Sequence, residues 1–98
     1  MSSFREIKLQ PIPSQQLNVS LGTQKCTIKI YQRDDNVYCD VQVNKDTVFS
    51  GALCSLRQNI VPIFASSFIG QLMFLDLQGS EEPDFSGFGD RWRLYYVI

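Results

Sequence analysis

Apolar and polar residues alternate along most of the chain with a period of two, the spacing of strands that bury one face. Residues 37–43 give the clearest case, with Val37, Cys39, Val41 and Val43 on one face and more polar residues between them. No window of about eleven residues or more keeps the 3.6-residue period of an amphipathic helix. The pattern therefore predicts an all-β protein.

Turn-forming residues divide this alternation into separate strands. Pro11 and Pro13 end the first strand, because proline has no N–H to donate to a neighbouring strand. Short turns containing glycine, asparagine or aspartate follow at residues 22–24, 34–36 and 44–46. The predicted strands cover residues 4–9, 16–21, 25–30, 37–43, 47–54, 72–77 and 91–98.

The short links also predict how these strands pair. Residues 25–54 should form a three-stranded antiparallel meander, with residues 16–21 as a hairpin partner. Ser50 and Gly51 interrupt the last of these strands and predict a β-bulge. We expect one domain over residues 1–98, folded as a single small antiparallel β-barrel or a two-sheet sandwich of about seven or eight strands.

The segment after the meander is less regular. Pro62 predicts an edge or an extended crossover, and the small residues at 65–70 predict a bend or one helical turn. Residues 72–77 are almost continuously apolar, which is typical of a strand covered on both faces. Asp76 is the exception, and its burial would require a cationic partner on an adjacent strand, either Arg91 or Arg93.

Composition narrows the classes of function. The net charge is −1 and the sequence pI is about 5.2, so no overall field draws the protein to nucleic acid or anionic lipid. The chain has no histidine, which removes the usual general base and the commonest metal ligand. No stretch approaches the ~18 apolar residues of a membrane span. We therefore expect no enzymatic activity, no cofactor, no metal site and no membrane contact.

The chain contains three cysteines, Cys26, Cys39 and Cys54. Their spacing matches neither a zinc-binding pattern nor a redox CxxC motif. We expect reduced, buried thiols.

The closing segment FSGFGDRWRLYYVI, residues 85–98, is the richest in candidate side chains. Its glycines enter a strand instead of a helix N-terminus, which argues against a dinucleotide site, and we expect them to permit positive φ in a loop. The period of two places Trp92 and Tyr96 opposite both Arg91 and Arg93. The predicted partner-interface residues are Phe85, Phe88, Trp92, Arg93, Tyr95 and Tyr96.

Several stretches together carry a resemblance to a known family. They are FREIKLQPIP near the start, QQLNVSL, SGALC in the meander, and FGD followed by RLYY at the end. In this combination the chain resembles the small baseplate plug proteins of tailed bacteriophages. It departs from the family where a Gly-Pro-Leu sequence is usual, because Gly51-Ala52-Leu53 stands there.

The resemblance implies a non-enzymatic, β-barrel-like structural subunit of a contractile-tail baseplate, seated near the central hub and spike. Its expected partners are the hub and spike proteins, and its location is the virion, after assembly in the bacterial cytoplasm. Formation of a homo-oligomer stays open. Residues 4–9 and 91–98 are expected edge strands that a partner could extend.

The alternative function is an OB-like module for single-stranded nucleic acid, using the arginines and tyrosines of the closing strand. Glu81, Glu82, Asp84 and Asp90 lie close by in sequence and would oppose a phosphate backbone. Nucleic acid is therefore the less favoured partner.

Overall fold

A computed structural model describes residues 3–65 and 67–98. Predictions that concern Met1, Ser2 and Ser66 lie outside the described residues. The strands are β1 (Phe4–Ile7), β2 (Ser14–Leu21), β3 (Gln24–Arg33), β4 (Asn36–Val43), β5 (Asp46–Leu53), β6 (Gln71–Asp76) and β7 (Trp92–Val97), with a 3-10 turn at Phe85–Gly87. The all-β prediction is confirmed. Within the described ranges, no helix has the length and apolar character needed to cross a membrane.

The strands form two antiparallel sheets that pack as a sandwich and do not close into a barrel. The four-stranded sheet has the order β2-β3-β4-β5, so the predicted hairpin and meander are both confirmed. The three-stranded sheet has the order β1-β7-β6. The antiparallel sandwich was one of the two architectures that the pattern predicted.

The core lies between the two sheets and contains the alternate apolar residues of each strand. Its fully buried side chains include Leu21, Ile28, Ile30, Val37 and Val41 from the four-stranded sheet, and Leu72, Phe74 and Leu94 from the three-stranded sheet. The cysteines are buried and free, as predicted. A hydrogen bond with Cys54, together with burial, raises the pKa of the Cys39 thiol well above its ordinary value.

The predicted bulge lies in β5 opposite Asp40. Two residues, Ser50 and Gly51, oppose this one residue of β4, where the strand register shifts. Gly51 adopts a φ of 67°, and its N–H donates to Asp40 Oδ1 at 2.7 Å. The aspartate therefore supplies an acceptor to the irregular backbone.

The crossover between β5 and β6 follows the outer edge of β6, in agreement with the prediction from Pro62. Arg57 N donates to Phe74 O at 2.9 Å, and Ile60 N donates to Leu72 O at 2.8 Å. These bonds occupy backbone groups that an open edge would leave unpaired.

Gln24 holds the end of this crossover in a way that the sequence pattern did not predict. Its side-chain amide accepts from Ile69 N at 2.9 Å and donates to Ile69 O at 3.0 Å. Gln24 is buried at the first position of β3, where the period of two places an inward side chain. The polar residue is buried because it satisfies both backbone groups of Ile69.

The expected position of the last strand was wrong. β7 lies in the centre of the three-stranded sheet, where it pairs with both β1 and β6. A sequence pattern reports which residues face the core, whereas the order of strands depends on long-range pairing. β1 is an edge strand as expected, although it ends at Ile7 and not at residue 9.

Candidate protein interface

Asp76 lies at the end of β6 on the inner face, and its side chain is fully buried. Arg91 binds it through two hydrogen bonds of 2.8 Å, one from Nε and one from Nη2. The backbone N–H groups of Gln78 and Glu81 also donate to the carboxylate. Arg91 is the first cause that holds the pKa of Asp76 well below its ordinary value, followed by these backbone donors. The predicted cationic partner is confirmed, and the group orders the loop after β6.

Trp92 is buried beside this ion pair. Its indole Nε1 donates to Glu81 O at 3.0 Å, and the Arg91 guanidinium lies 4.4 Å from the ring centroid. The prediction that both arginines face away from the tryptophan therefore holds for Arg93 and is wrong for Arg91. The reason is that β7 begins at Trp92, so the alternation of the strand does not extend back to Arg91.

The glycines of the closing loop have two different roles. Gly89 has a φ of 82°, as expected, and a Cβ there would lie 2.7 Å from Leu9 O. Gly87 does not have a positive φ, so for it the expectation was wrong. A Cβ on Gly87 would lie 2.5 Å from Trp92 Cε3. Gly87 is therefore required by the close approach of the indole ring.

The six predicted interface residues separate into two groups. Phe88, Trp92 and Tyr96 are core residues, and Phe88 stacks on Phe74 with ring centroids 5.4 Å apart. Their burial leaves little surface for contact with a partner. The partly exposed members of the predicted set are Phe85, Arg93 and Tyr95. For these, the interface role stays a prediction.

Arg93 and Tyr95 lie on the outer face of the three-stranded sheet, among apolar side chains. The strand register places Met73 opposite Tyr95 and Leu75 opposite Arg93. We call this surface the apolar sheet face, and its residues are Phe4, Glu6, Gln71, Met73, Leu75, Arg93, Tyr95 and Val97.

Contacts within the apolar sheet face arrange its polar and aromatic groups. Arg93 Nη1 lies 3.4 Å from Glu6 Oε1, forming an ion pair between the central strand β7 and the edge strand β1. The rings of Phe4 and Tyr95 meet edge to face with centroids 6.2 Å apart, and Phe4 is 59% exposed. Aromatic side chains around an arginine are typical of protein interfaces.

Sequence reasoning missed Phe4, Met73 and Leu75 as candidate interface residues. The available signal was the continuous apolar stretch at residues 72–77, which predicted a strand covered on both faces. The core covers one face of β6, while Met73 and Leu75 stay partly exposed on the other. Their exposure leaves apolar surface that a second protein could cover.

The outer face of the four-stranded sheet has the opposite character. A shallow depression of about 250 Å³ on it is lined by Gln16, Thr27, Lys29, Asp40, Gln42, Thr47 and Ser50. Asp40 Oδ1 already accepts from Tyr31 Oη and Gly51 N. Across residues 3–65 and 67–98, no group of three His, Cys, Asp or Glu side chains could hold a metal ion. The depression is a polar surface without grouped metal ligands.

The closing strand offers little to a nucleic acid. Arg91 pairs with Asp76 and Glu81, and Arg93 pairs with Glu6. A phosphate would have to displace these carboxylates before it could bind either guanidinium. The geometry therefore gives no support to the OB-like alternative.

Comparisons with known proteins identify the family of the chain. A search of the curated proteins finds none that matches the chain. The family model described as cyanophage baseplate Pam3 plug gp18 matches residues 4–98, which confirms the resemblance. The protein therefore belongs to this phage baseplate plug family, whose description indicates a structural component of the phage tail that contacts other baseplate proteins.

Proposed function

We propose that the protein is a non-enzymatic plug subunit of a contractile-tail baseplate, assembled in the bacterial cytoplasm beside the central hub and spike. Its apolar sheet face is the surface that docks on those partners. The observation that carries this proposal is the presence of partly exposed apolar side chains on the outer face of the three-stranded sheet. They include Met73, Leu75 and Tyr95.

Docking on a partner would remove the exposed apolar side chains of this face from water. Apolar surface removed from water contributes roughly 25 cal/mol per Å². Tyr95 and Phe4 are the aromatic members of this face, and aromatic side chains dominate the energies of interfaces. The Arg93–Glu6 pair between β7 and β1 would contribute to the orientation of the partner more than to affinity, because a docked protein must leave the two charges paired.

The roles of two carboxylates near the closing strand support a structural function. Asp76 is engaged by Arg91 and by backbone N–H groups, and Asp84 accepts from Ser86 and Gln32. The hydrogen bond from Ser86 is the first cause that lowers the pKa of Asp84. These two carboxylates are held by hydrogen bonds within the loop structure and are therefore poor candidates for a general acid or base.

Co-expression with the hub and spike proteins of the same phage tests the proposal. The informative variant is Tyr95→Ser, and the matched control is Tyr38→Ser. Both tyrosines are partly exposed on the outer face of a sheet, and each has an aromatic neighbour. Tyr95 meets Phe4 edge to face, and Tyr38 stacks on Tyr31. We expect Tyr95→Ser to reduce co-purification at least about tenfold and Tyr38→Ser to leave it unchanged.

Thermal unfolding of both variants controls for loss of the fold. Equal recovery of complex with folded Tyr95→Ser and wild-type chains would refute docking through this face. Failure of the folded wild-type chain to bind hub or spike proteins would refute the proposed position in the baseplate.

A further inference from the structure

β2 is an edge strand that lacks the usual protection against pairing with another chain. Its sequence, SQQLNVSL, contains no charge, proline or glycine, and it pairs with β3 in continuous register over its whole length. Among the other outer strands, β1 has four residues, β5 carries the bulge at Gly51, and the crossover covers β6. Natural proteins usually protect a long regular edge strand from pairing with another chain by one of these features, a short strand, a bulge or a covering segment.

The geometry identifies which backbone groups of β2 are free. Gln32 N donates to Pro13 O, which sets the alternation between β2 and β3. The backbone groups of Ser14, Gln16 and Asn18 therefore point away from β3. Arg5 donates to Ser20 O from this open side, so only the end of the edge is covered. Each of the three free residues offers one N–H and one C=O to an added strand.

Charge along the β2–β3 hairpin has a single sign. Residues 14–33 contain Lys25, Lys29 and Arg33 and no carboxylate. Lys25 is the cross-strand neighbour of Ser20, and Lys29 is that of Gln16 on β2 and of Asp40 on β4. Asp40 Oδ1 already accepts from Tyr31 Oη and Gly51 N. Neither lysine forms an ion pair with any residue that the structure describes.

We propose that the β2 edge binds an extended acidic segment of another polypeptide, which adds to the four-stranded sheet as a further strand. Backbone hydrogen bonds to Ser14, Gln16 and Asn18 give the attachment. The added strand lies about 10 Å from β3, within reach of the long side chains of Lys25 and Lys29, and their charge gives the preference for carboxylates. A second copy of this chain is a poorer occupant. β2 has no carboxylate, so pairing of two β2 edges would leave the lysines of both copies without partners.

This site is distinct from the apolar sheet face and does not depend on docking there. The two surfaces lie on different sheets, so one chain can bind a folded partner through one and an extended segment through the other.

The test uses two synthetic octapeptides, one alternating threonine with glutamate and one alternating threonine with lysine. Peptide is titrated into the isotope-labelled protein at low salt, and binding is followed by backbone amide shifts and hydrogen exchange. We expect the acidic peptide to bind about tenfold or more tightly than the basic one, and to protect the amides of Gln16 and Asn18.

Two pairs of variants separate backbone pairing from charge. Gln16→Pro removes a free N–H without removing a bond to β3, and Gln16→Ala is the matched control that keeps it. We expect binding to be lost in the first and kept in the second. Lys25→Gln combined with Lys29→Gln should remove the preference for the acidic peptide. Unfolding midpoints confirm that each variant folds.

Three outcomes would overturn the proposal. The first is no binding of the acidic peptide at millimolar concentration. The second is equal binding of both peptides, or protection that maps to β1 or β5. The third is a concentration-dependent dimer of the protein alone with protected β2 amides, which would assign the edge to a second copy.

Discussion

The contact between Gly87 and Trp92 gives the sharpest test of how the closing loop packs. In Gly87→Ala the new Cβ would lie 2.5 Å from Cε3 and 2.6 Å from Cζ3 of the indole ring. The ring has little freedom to move away, because its Nε1 donates to Glu81 O and the Arg91 guanidinium stacks on it. The substitution must therefore displace either the loop or the tryptophan.

The expected cost follows from two opposing effects. Overpacking of a close-packed site costs about 1–3 kcal/mol. Replacing glycine by alanine where φ is compatible recovers about 0.4–1 kcal/mol by restricting the unfolded chain. We expect a net loss of about 1–2 kcal/mol, which lowers the midpoint of thermal unfolding by roughly 4–16 °C in a domain of this size.

A double-mutant cycle with Trp92→Leu assigns this loss to the ring. Urea unfolding followed by circular dichroism serves all four proteins, because Trp92 is the single tryptophan and its fluorescence disappears in two of them. In the leucine background, Gly87→Ala should become neutral or stabilising.

Gly51→Ala is the matched control for this cycle, since Gly51 has a φ of 67° and no atom within 4 Å of its added Cβ. The loss of unfolding free energy caused by Gly51→Ala should be the same with and without the indole ring. An unchanged midpoint for Gly87→Ala, or an equal cost in both backgrounds, would refute the packing argument.

Three further predictions concern buried polar groups. Because the pKa of Asp76 is lowered in the folded protein, this carboxylate should contribute stability that is present above its unfolded pKa of about 3.9 and is lost as the pH falls below that value. Asp76→Asn should therefore flatten the acid limb of a plot of urea midpoint against pH, and an unchanged limb would contradict this. Cys39 and Cys54 should resist iodoacetamide in the native protein and react after unfolding, so rapid native labelling seen by mass spectrometry would exclude the buried arrangement. Gln24→Leu should lower the free energy of unfolding by about 1–3 kcal/mol, because it leaves Ile69 N without an acceptor. Faster hydrogen exchange at Ile69 would support this, and unchanged exchange would oppose it.

The local features of the fold could be predicted from the sequence because each depends on neighbouring residues. The period of two identified the inward rows of β3 and β4, and the Ser50-Gly51 pair identified the bulge. An aspartate in an otherwise apolar strand required a cation, and Arg91 supplies it. Burial and hydrogen bonding thus limited the choices at each position, and for Asp76 they left two candidate cations, Arg91 and Arg93.

The remaining features depend on contacts between distant parts of the chain. The central position of β7 arises from its simultaneous pairing with β1 and β6, which no local pattern encodes. Gln24 is separated from Ile69 by 45 residues, so the burial of its amide could not be inferred from its neighbours. Phe4, Met73 and Leu75 were missed for the same reason, since the apolar sheet face combines residues from three strands.

The closing strand shows how one motif can serve both stability and assembly. Leu94 and Tyr96 point into the core, whereas Arg93 and Tyr95 alternate with them on the apolar sheet face. A central strand suits this division, because pairing on both sides fixes the direction of every side chain. Inward substitutions such as Leu94→Ala should therefore cost about 2–5 kcal/mol of folding stability. Outward substitutions such as Tyr95→Ser should leave the fold intact and weaken binding, so the two effects can be separated residue by residue along β7.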